Sequence, residues 1–296
     1  MIKPNPKISI VILNWNRRNF LKQAIESVLN QDYKNYEIIV ADNNSTDGSS
    51  EMIEENFKDI KLLKFKENLG IEARNIAFSI LTGDIIFSLD NDAKLGKNAL
   101  SKIVKEFEKN PKLGLVQCNI LTFDSKNISN WFHALPREKY FKKEFYTSCF
   151  GAGCSAIKSE VLKKTGNYNP HFFSRGEELD LAYKILDNKY LMKYCPKIIV
   201  YHAICQENRS NSKNYYLDQR NIIWAFWLNL PFPEVIIKTC RFLIGTLFRI
   251  RLNFMFSYFK AIFHAFLGLP WVIKERKPIK HSTLKLIKRI NSTEKA

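Results

Sequence analysis

The 296-residue chain has no uncharged apolar run of the about 18 to 20 residues that a membrane-spanning helix needs; the longest, Ala261 to Ile273, falls short. No spanning segment is expected. Six cysteines (Cys118, Cys149, Cys154, Cys195, Cys205 and Cys240) show no CxxC pair or short-spaced framework. The opening MIKPNPKISIVIL lacks the charged, apolar and small-residue zones of a secretory leader. Reduced thiols in a cytoplasmic setting are the expectation. Acidic residues are scarce, 29 Asp and Glu against 46 Lys and Arg, and from Ala203 onward 16 basic residues face 5 acidic ones. An anionic partner is expected for that last third. It is not expected to be nucleic acid: zinc-finger, RRM and KH spacings are missing, and the cations are spread through apolar sequence instead of forming a dense patch.

With 46% hydrophobic residues and 22 Phe, the chain can bury a large core, and disorder is excluded for most of its length. Short apolar runs at Ile8 to Leu13, Glu37 to Ala41, Ile60 to Phe65 and Ile85 to Leu89 read as strands. Between them, Phe20, Leu21, Ala24, Ile25, Val28 and Leu29 recur at helical spacing, as do Ala73, Ile76, Ala77, Ile80 and Leu81. Strands buried on both faces and separated by helices predict an α/β fold with a mostly parallel, doubly wound sheet. Its ligand is expected beyond the carboxyl ends of the strands.

Polar clusters stand at those ends. Asn14-Trp15-Asn16 follows the first strand, Asp42 to Gly48 the second, and Asp90-Asn91-Asp92 the fourth. Two readings of Asp42 stand: an ordinary turn residue, or an acceptor for a nucleobase whose phosphates meet the following helix N-terminus. Asp90 and Asp92 likewise form either a solvated turn or a concentration of charge that a hard divalent cation would neutralise. The first turn has no Gly-rich phosphate loop, which argues against a nucleotidylyltransferase.

Four ordered stretches change the weighting: SIVILNWNRRNFLKQAIESVLNQDYKNYEIIVADNNSTDGS, ENLGIEARNIAFSILTGDIIFSLDND, GAGCSAIKSEVLKKTGNYNP and FFSRGEELDLAYKILDNKYLMKYCPKIIVYH. Together they resemble glycosyltransferase family 2, the inverting family with the GT-A fold, over about residues 7 to 202. The resemblance implies transfer from a nucleotide diphosphate sugar to a hydroxyl acceptor, a glycan or lipid-linked glycan in cell-surface polysaccharide assembly. It makes Asp42 the contact to the donor base, Asp90 a neighbour of the ribose and diphosphate, and Asp92 a ligand of Mg2+ or Mn2+. Asn14 and Arg74 match positions lining the nucleotide pocket, although Arg74 also fits a surface helix cap. His202 matches a second metal ligand. The catalytic base is expected within Glu177-Glu178-Leu179-Asp180, where the family pattern usually reads Glu-Asp-x-Asp-Leu. Here Glu178 stands in place of the Asp after the first Glu, so Glu178 ranks first, with Asp180 and Glu177 as alternatives. The same departure leaves a catalytically silent relative open.

The expected organisation is a catalytic domain over 1–207, with a nucleotide-binding half at 1–110 and an acceptor half at 111–207, then a helical extension over 208–296. Between Val235 and Lys274 no acidic residue occurs. At about 100° per residue, Lys238, Arg241, Arg249, Asn253, Ser257, Lys260 and His264 share a polar arc, with Arg251 off it. A long basic amphipathic helix, interrupted near Gly245 and ended by Gly268-Leu269-Pro270, is expected. It would either lie on an anionic membrane surface, at the inner face of the cell membrane, or pack on the catalytic domain or a dimer partner. Tyr215, Tyr216, Arg220 and Asn221 are expected to dock this tail.

Overall fold

The computed structural model describes residues 3–124, 131–203 and 211–292. Strands β1 (Ile8–Asn14), β2 (Tyr36–Asp42), β3 (Lys61–Lys64) and β4 (Ile85–Asp90) alternate with helices α1 (Arg18–Leu29), α2 (Ser49–Asn56) and α3 (Glu72–Ser79). Next come β5 (Ala93–Leu95), α4 (Ala99–Lys109) and β6 (Leu113–Thr122), the short α5 (Arg137–Tyr140) and β7 (Phe145–Tyr146), and β8 (Cys154–Lys158). They are followed by α6 (Ser159–Thr165), α7 (Glu177–Asp187) and β9 (Leu191–His202). The last helices are α8 (Asn211–Asn229), α9 (Glu234–Leu247), α10 (Met255–Leu267), α11 (Leu269–Glu275) and α12 (His281–Ile290).

Among the described residues one sheet runs β3-β2-β1-β4-β8-β6-β9-β5, with β7 on β9. The first four strands are parallel, and β8 runs antiparallel to β4 and β6. The parallel run thus ends at β4, and the second half of the sheet is mixed. Alternation of side chains along each strand splits the core between the two faces. Ile8, Ile10, Ile12, Ile38, Val40, Phe87 and Leu89 pack with α1 and α4 on one side. Val11, Ile39, Ala41 and Ile86 pack with α3, α6, α7 and α12 on the other. Leu21, Ala24, Ile25 and Val28 show why α1 is a helix: they form one buried face at three- and four-residue spacing.

The strand order reverses direction between β1 and β4. Open α/β sheets offer a crevice at such a switch point. Two further connections aim at it. Asp90 N–H donates to the Gly153 carbonyl at 2.9 Å, bringing the loop before β8 against the end of β4. Antiparallel pairing of Ala93 with His202 sets the end of β9 beside the turn after β4.

The expected boundary at 207/208 falls outside the described residues, as does Cys205. Helices α10 and α11 pack on α8, while α8 and α12 pack on α7. The interruption expected near Gly245 falls just after it: α9 ends at Leu247 and α10 starts at Met255, with Arg251 in extended backbone between them. The residue that would not fit the polar arc sits at the break.

Candidate active site

A cleft of about 670 Å³ opens at the switch point. Arg74, Asp90, Asp92, Glu177, Glu178 and His202 all line it. Asn14 and Asp42 lie beneath. Asn14 is fully buried and donates to Asp42 Oδ1 at 2.7 Å while accepting from Asn91 Nδ2 at 2.7 Å. Asp42 also accepts from the Ser45 N–H, the Ser45 hydroxyl and the Ser50 hydroxyl. This network ties the ends of β1, β2 and β4 together, so the turn after β4 cannot shift without breaking buried hydrogen bonds.

Asp90, Asp92 and His202 offer donor atoms within 4.8 Å of one another. His202 Nε2 lies 3.3 Å from Asp92 Oδ1 and 3.7 Å from Asp90 Oδ2. Two carboxylates and an imidazole make a hard oxygen and nitrogen set that fits a divalent cation such as Mg2+ or Mn2+. Two guanidinium groups meet the same carboxylates. Arg17 pairs with Asp92, and the buried Arg74 reaches Asp90 Oδ1 at 3.3 Å. Burial opposes the charge on Arg74, but Asp90, Tyr168 and Glu177 more than offset it, and the guanidinium holds its proton more tightly than usual. Arg74 is therefore no surface cap.

Gly153 packs directly against the Asp90 carboxyl group: an added Cβ would come within 1.9 Å of Asp90 Cγ. Only glycine leaves that carboxylate room.

On the opposite wall Gly176 caps the N-terminus of α7, and its positive φ of 78° turns the chain into the helix. Glu177 and Glu178 follow, both in the cleft. Burial, then the neighbouring Glu178 charge, pushes the Glu177 carboxyl well above the usual carboxylate range. Burial also raises Glu178, which accepts a long hydrogen bond of 3.5 Å from the Ala152 N–H.

Asp180 does not line the cleft. Its carboxylate is fully buried, accepting from Lys184 Nζ at 2.6 Å and Asn229 Nδ2 at 2.7 Å, and so ties α7 to α8. Asp180 and Lys184 stand one helical turn apart and so share a face of α7; Asn229 of α8 covers it.

Several lining residues carried no sequence signal. Arg17 reaches Asp92 because Asn16 and Arg17 both adopt left-handed backbone, at φ 58° and 71°. The wall beyond Phe173 comes from α8, through Lys213, Asn214 and Leu217. Asn221, fully buried on α8, donates to the carbonyls of Phe172, Ser174 and Arg175, and Arg175 pairs with Asp218 at 2.8 Å. One helix of the extension thus holds the loop that delivers Glu177 and Glu178.

A family model described as Glycosyl transferase family 2 matches residues 9–166. A GalNAc(5)-diNAcBac-PP-undecaprenol beta-1,3-glucosyltransferase of Campylobacter jejuni is 28% identical over 192 residues. That alignment covers 62% of this chain and 61% of the relative, so the chain matches less than two thirds of the relative's length. Among solved structures, the mannosyltransferase PcManGT from Pyrobaculum calidifontis, in complex with GDP-Man and Mn2+, superposes with a TM-score of 0.59 at 19% identity, covering 100% of this chain and 90% of that one. GalNAc-T7 with UDP, GalNAc and Mn2+ gives 0.64 at 18% identity, covering 79% and 49%. Both likenesses place the chain in the GT-A fold.

Proposed function

This chain belongs to glycosyl transferase family 2, and from that membership we propose that it is a metal-dependent inverting glycosyltransferase, moving a sugar from a nucleotide diphosphate donor to a hydroxyl of a glycan or lipid-linked glycan. The observation that carries the reading is the composition of one cleft. A hard cation-binding set, Asp90, Asp92 and His202, lines the same space as two carboxyl groups of raised proton affinity, Glu177 and Glu178.

A divalent cation held by Asp90, Asp92 and His202 would supply positive charge to the diphosphate as it leaves. Arg17 and Arg74, each on one of the two carboxylates, hold those side chains at the floor of the cleft and add further positive charge. Asp42, with Asn14 fixing it, is the residue we assign to the donor base.

The acceptor oxygen attacks the anomeric carbon as the bond from that carbon to the diphosphate breaks, and the hydroxyl proton passes to a carboxylate. We assign that proton to Glu178, not Asp180. Glu178 is only partly buried and meets the cleft, whereas Asp180 is committed to Lys184 and Asn229. Glu177, more enclosed and beside Arg74, is the alternative. The longer Glu side chain in place of the usual Asp still reaches the cleft, which favours an active enzyme over a silent relative. The place we assign to the reaction is the inner face of the cell membrane, where an acceptor carried on lipid is held.

The test is a panel of nucleotide sugars with purified protein, with and without Mn2+. Donor-dependent release of a nucleoside diphosphate that stops with EDTA is the expected result. Full transfer and unchanged metal dependence in Asp92→Ala would show the metal assignment to be wrong.

A further inference from the structure

The C-terminal helices carry their largest apolar side chains on the outside. In the turn between α9 and α10, Phe248 and Leu252 are 85% and 87% exposed, and Phe256 in the first turn of α10 is 78% exposed. Phe256, Phe259, Phe263 and Phe266 recur at three- and four-residue spacing, so they share one face of α10, and all are exposed. The opposite face is buried, with Tyr258, Ala261 and Ala265 turned inward. That orientation is fixed from inside. Trp224 Nε1 donates to the Ala265 carbonyl at 3.0 Å, and the Tyr258 hydroxyl donates to the Leu243 carbonyl at 2.8 Å. Gly268 lies so close to the Trp224 ring that an added Cβ would meet it at 2.6 Å. A helix of a water-facing surface shows the reverse pattern, apolar in and polar out.

Charge selects the occupant. Six cations and no acid lie between Val235 and Lys274, and Arg241, Arg249, Arg251, Lys260 and Lys274 are exposed among the apolar residues. A second copy would bring two such basic faces together within a chain already at +17, which like-charge repulsion opposes. An anionic bilayer offers an apolar interior to the phenylalanines and phosphate headgroups to the cations.

We propose that the outer face of α10, with Phe248 and Leu252 of the preceding turn, inserts in the plane of an anionic lipid surface. The segment Leu252–Leu267 with Leu269–Glu275 has the length and apolarity of a span only as a pair bent by 52°. Its packing on α8 makes it part of the folded body instead. The same turn of α8 that walls the cleft with Lys213, Asn214 and Leu217 also packs on α10 and the residue before it. Tyr215 stacks on Phe254 at 5.0 Å, and the Tyr216 hydroxyl lies 2.5 Å from His264 Nδ1. Resting on the proposed transfer reaction, this juxtaposition points to an acceptor whose lipid stays in the bilayer while its sugar reaches the cleft.

Docking is tested without donor or acceptor, so its outcome does not depend on the transfer reaction. The full chain is floated with vesicles of phosphatidylcholine alone or mixed with phosphatidylglycerol. Binding to the mixed vesicles at low salt, weakening as salt rises, is expected. The combined Phe256→Ser, Phe259→Ser and Phe263→Ser variant should bind about tenfold more weakly, with donor hydrolysis in solution unchanged. Arg249→Glu with Arg251→Glu should lose the preference for anionic vesicles, and it decides the matter if the first variant does not fold. Protein left in the soluble fraction at low salt, or a serine variant that floats like the parent, overturns the proposal. So does resistance to carbonate extraction, which marks a span, or a dimer that the serine variant dissolves.

Discussion

Glu177 and Glu178 stand next to each other at the start of one helix, yet burial makes both reluctant to ionise. For a base this sets the pH at which it works. The rate should climb with pH through a value above the about 4.3 of a free Glu, because the carboxyl must first lose its own proton. Glu178→Gln should lower kcat by about 10²- to 10⁴-fold, with donor KM little changed, in steady-state assays of nucleotide release. Glu177 gives the complementary experiment on stability. Its carboxyl binds a proton more tightly when folded than when unfolded, so its contribution is fullest below the ordinary Glu value and is lost as pH rises through the raised one. Glu177→Gln should therefore melt higher than the parent at about pH 8, and the gap should shrink toward about pH 4.

Among the elements, α8 has the widest reach. Its Asn221 amide serves three carbonyls of the loop that carries Phe173 and Arg175 into the cleft. Asn221→Ala leaves those carbonyls short of a donor. Urea titration should show a loss of about 1–3 kcal/mol, and activity should fall because the loop precedes Glu177. The sequence spoke clearly for the elements whose partners are other strands. Apolar runs ending in Asn14, Asp42 and Asp90 announced β1, β2 and β4, and the parallel order put those ends at one edge. It was silent where a residue's role depends on a distant helix. Asp180 reads as a candidate base because it is acidic and near Glu177; Lys184 takes one of its oxygens and Asn229, 49 residues on, the other. Arg17 was hidden for a different reason, since nothing in Asn-Arg-Arg signals two consecutive left-handed residues. The tail was legible in composition and in its interruption near Gly245; what spacing did not give was the phase across the break, where Arg251 stands in extended backbone.

At the scale of the molecule, the family match stops at residue 166, whereas Glu177, Glu178, His202 and the α8 wall come after it. The set proposed for the cation spans that limit, with Asp90 and Asp92 on one side and His202 on the other. EDTA should abolish nucleotide release, Mn2+ should restore it, and His202→Ala should raise the metal concentration needed by about 10- to 100-fold. A titration of activity against added Mn2+ reads the shift directly.

The pairing of α7 with α12 bears on how the molecule is made. Asp187, the last residue of α7, accepts from the Lys280 N–H and the Thr283 hydroxyl, 93 and 96 residues later in the chain. A ribosome adding about 5–20 residues per second leaves Asp187 waiting about 5 to 20 s for these partners. Through that interval Asp187 lacks both hydrogen bonds, and Leu284 and Ile287 of α12 are missing from the core on that side of the sheet. The half that carries Asp42 and Asp90 is translated before this wait begins, so the cleft wall formed by α7 is the later one to be fixed.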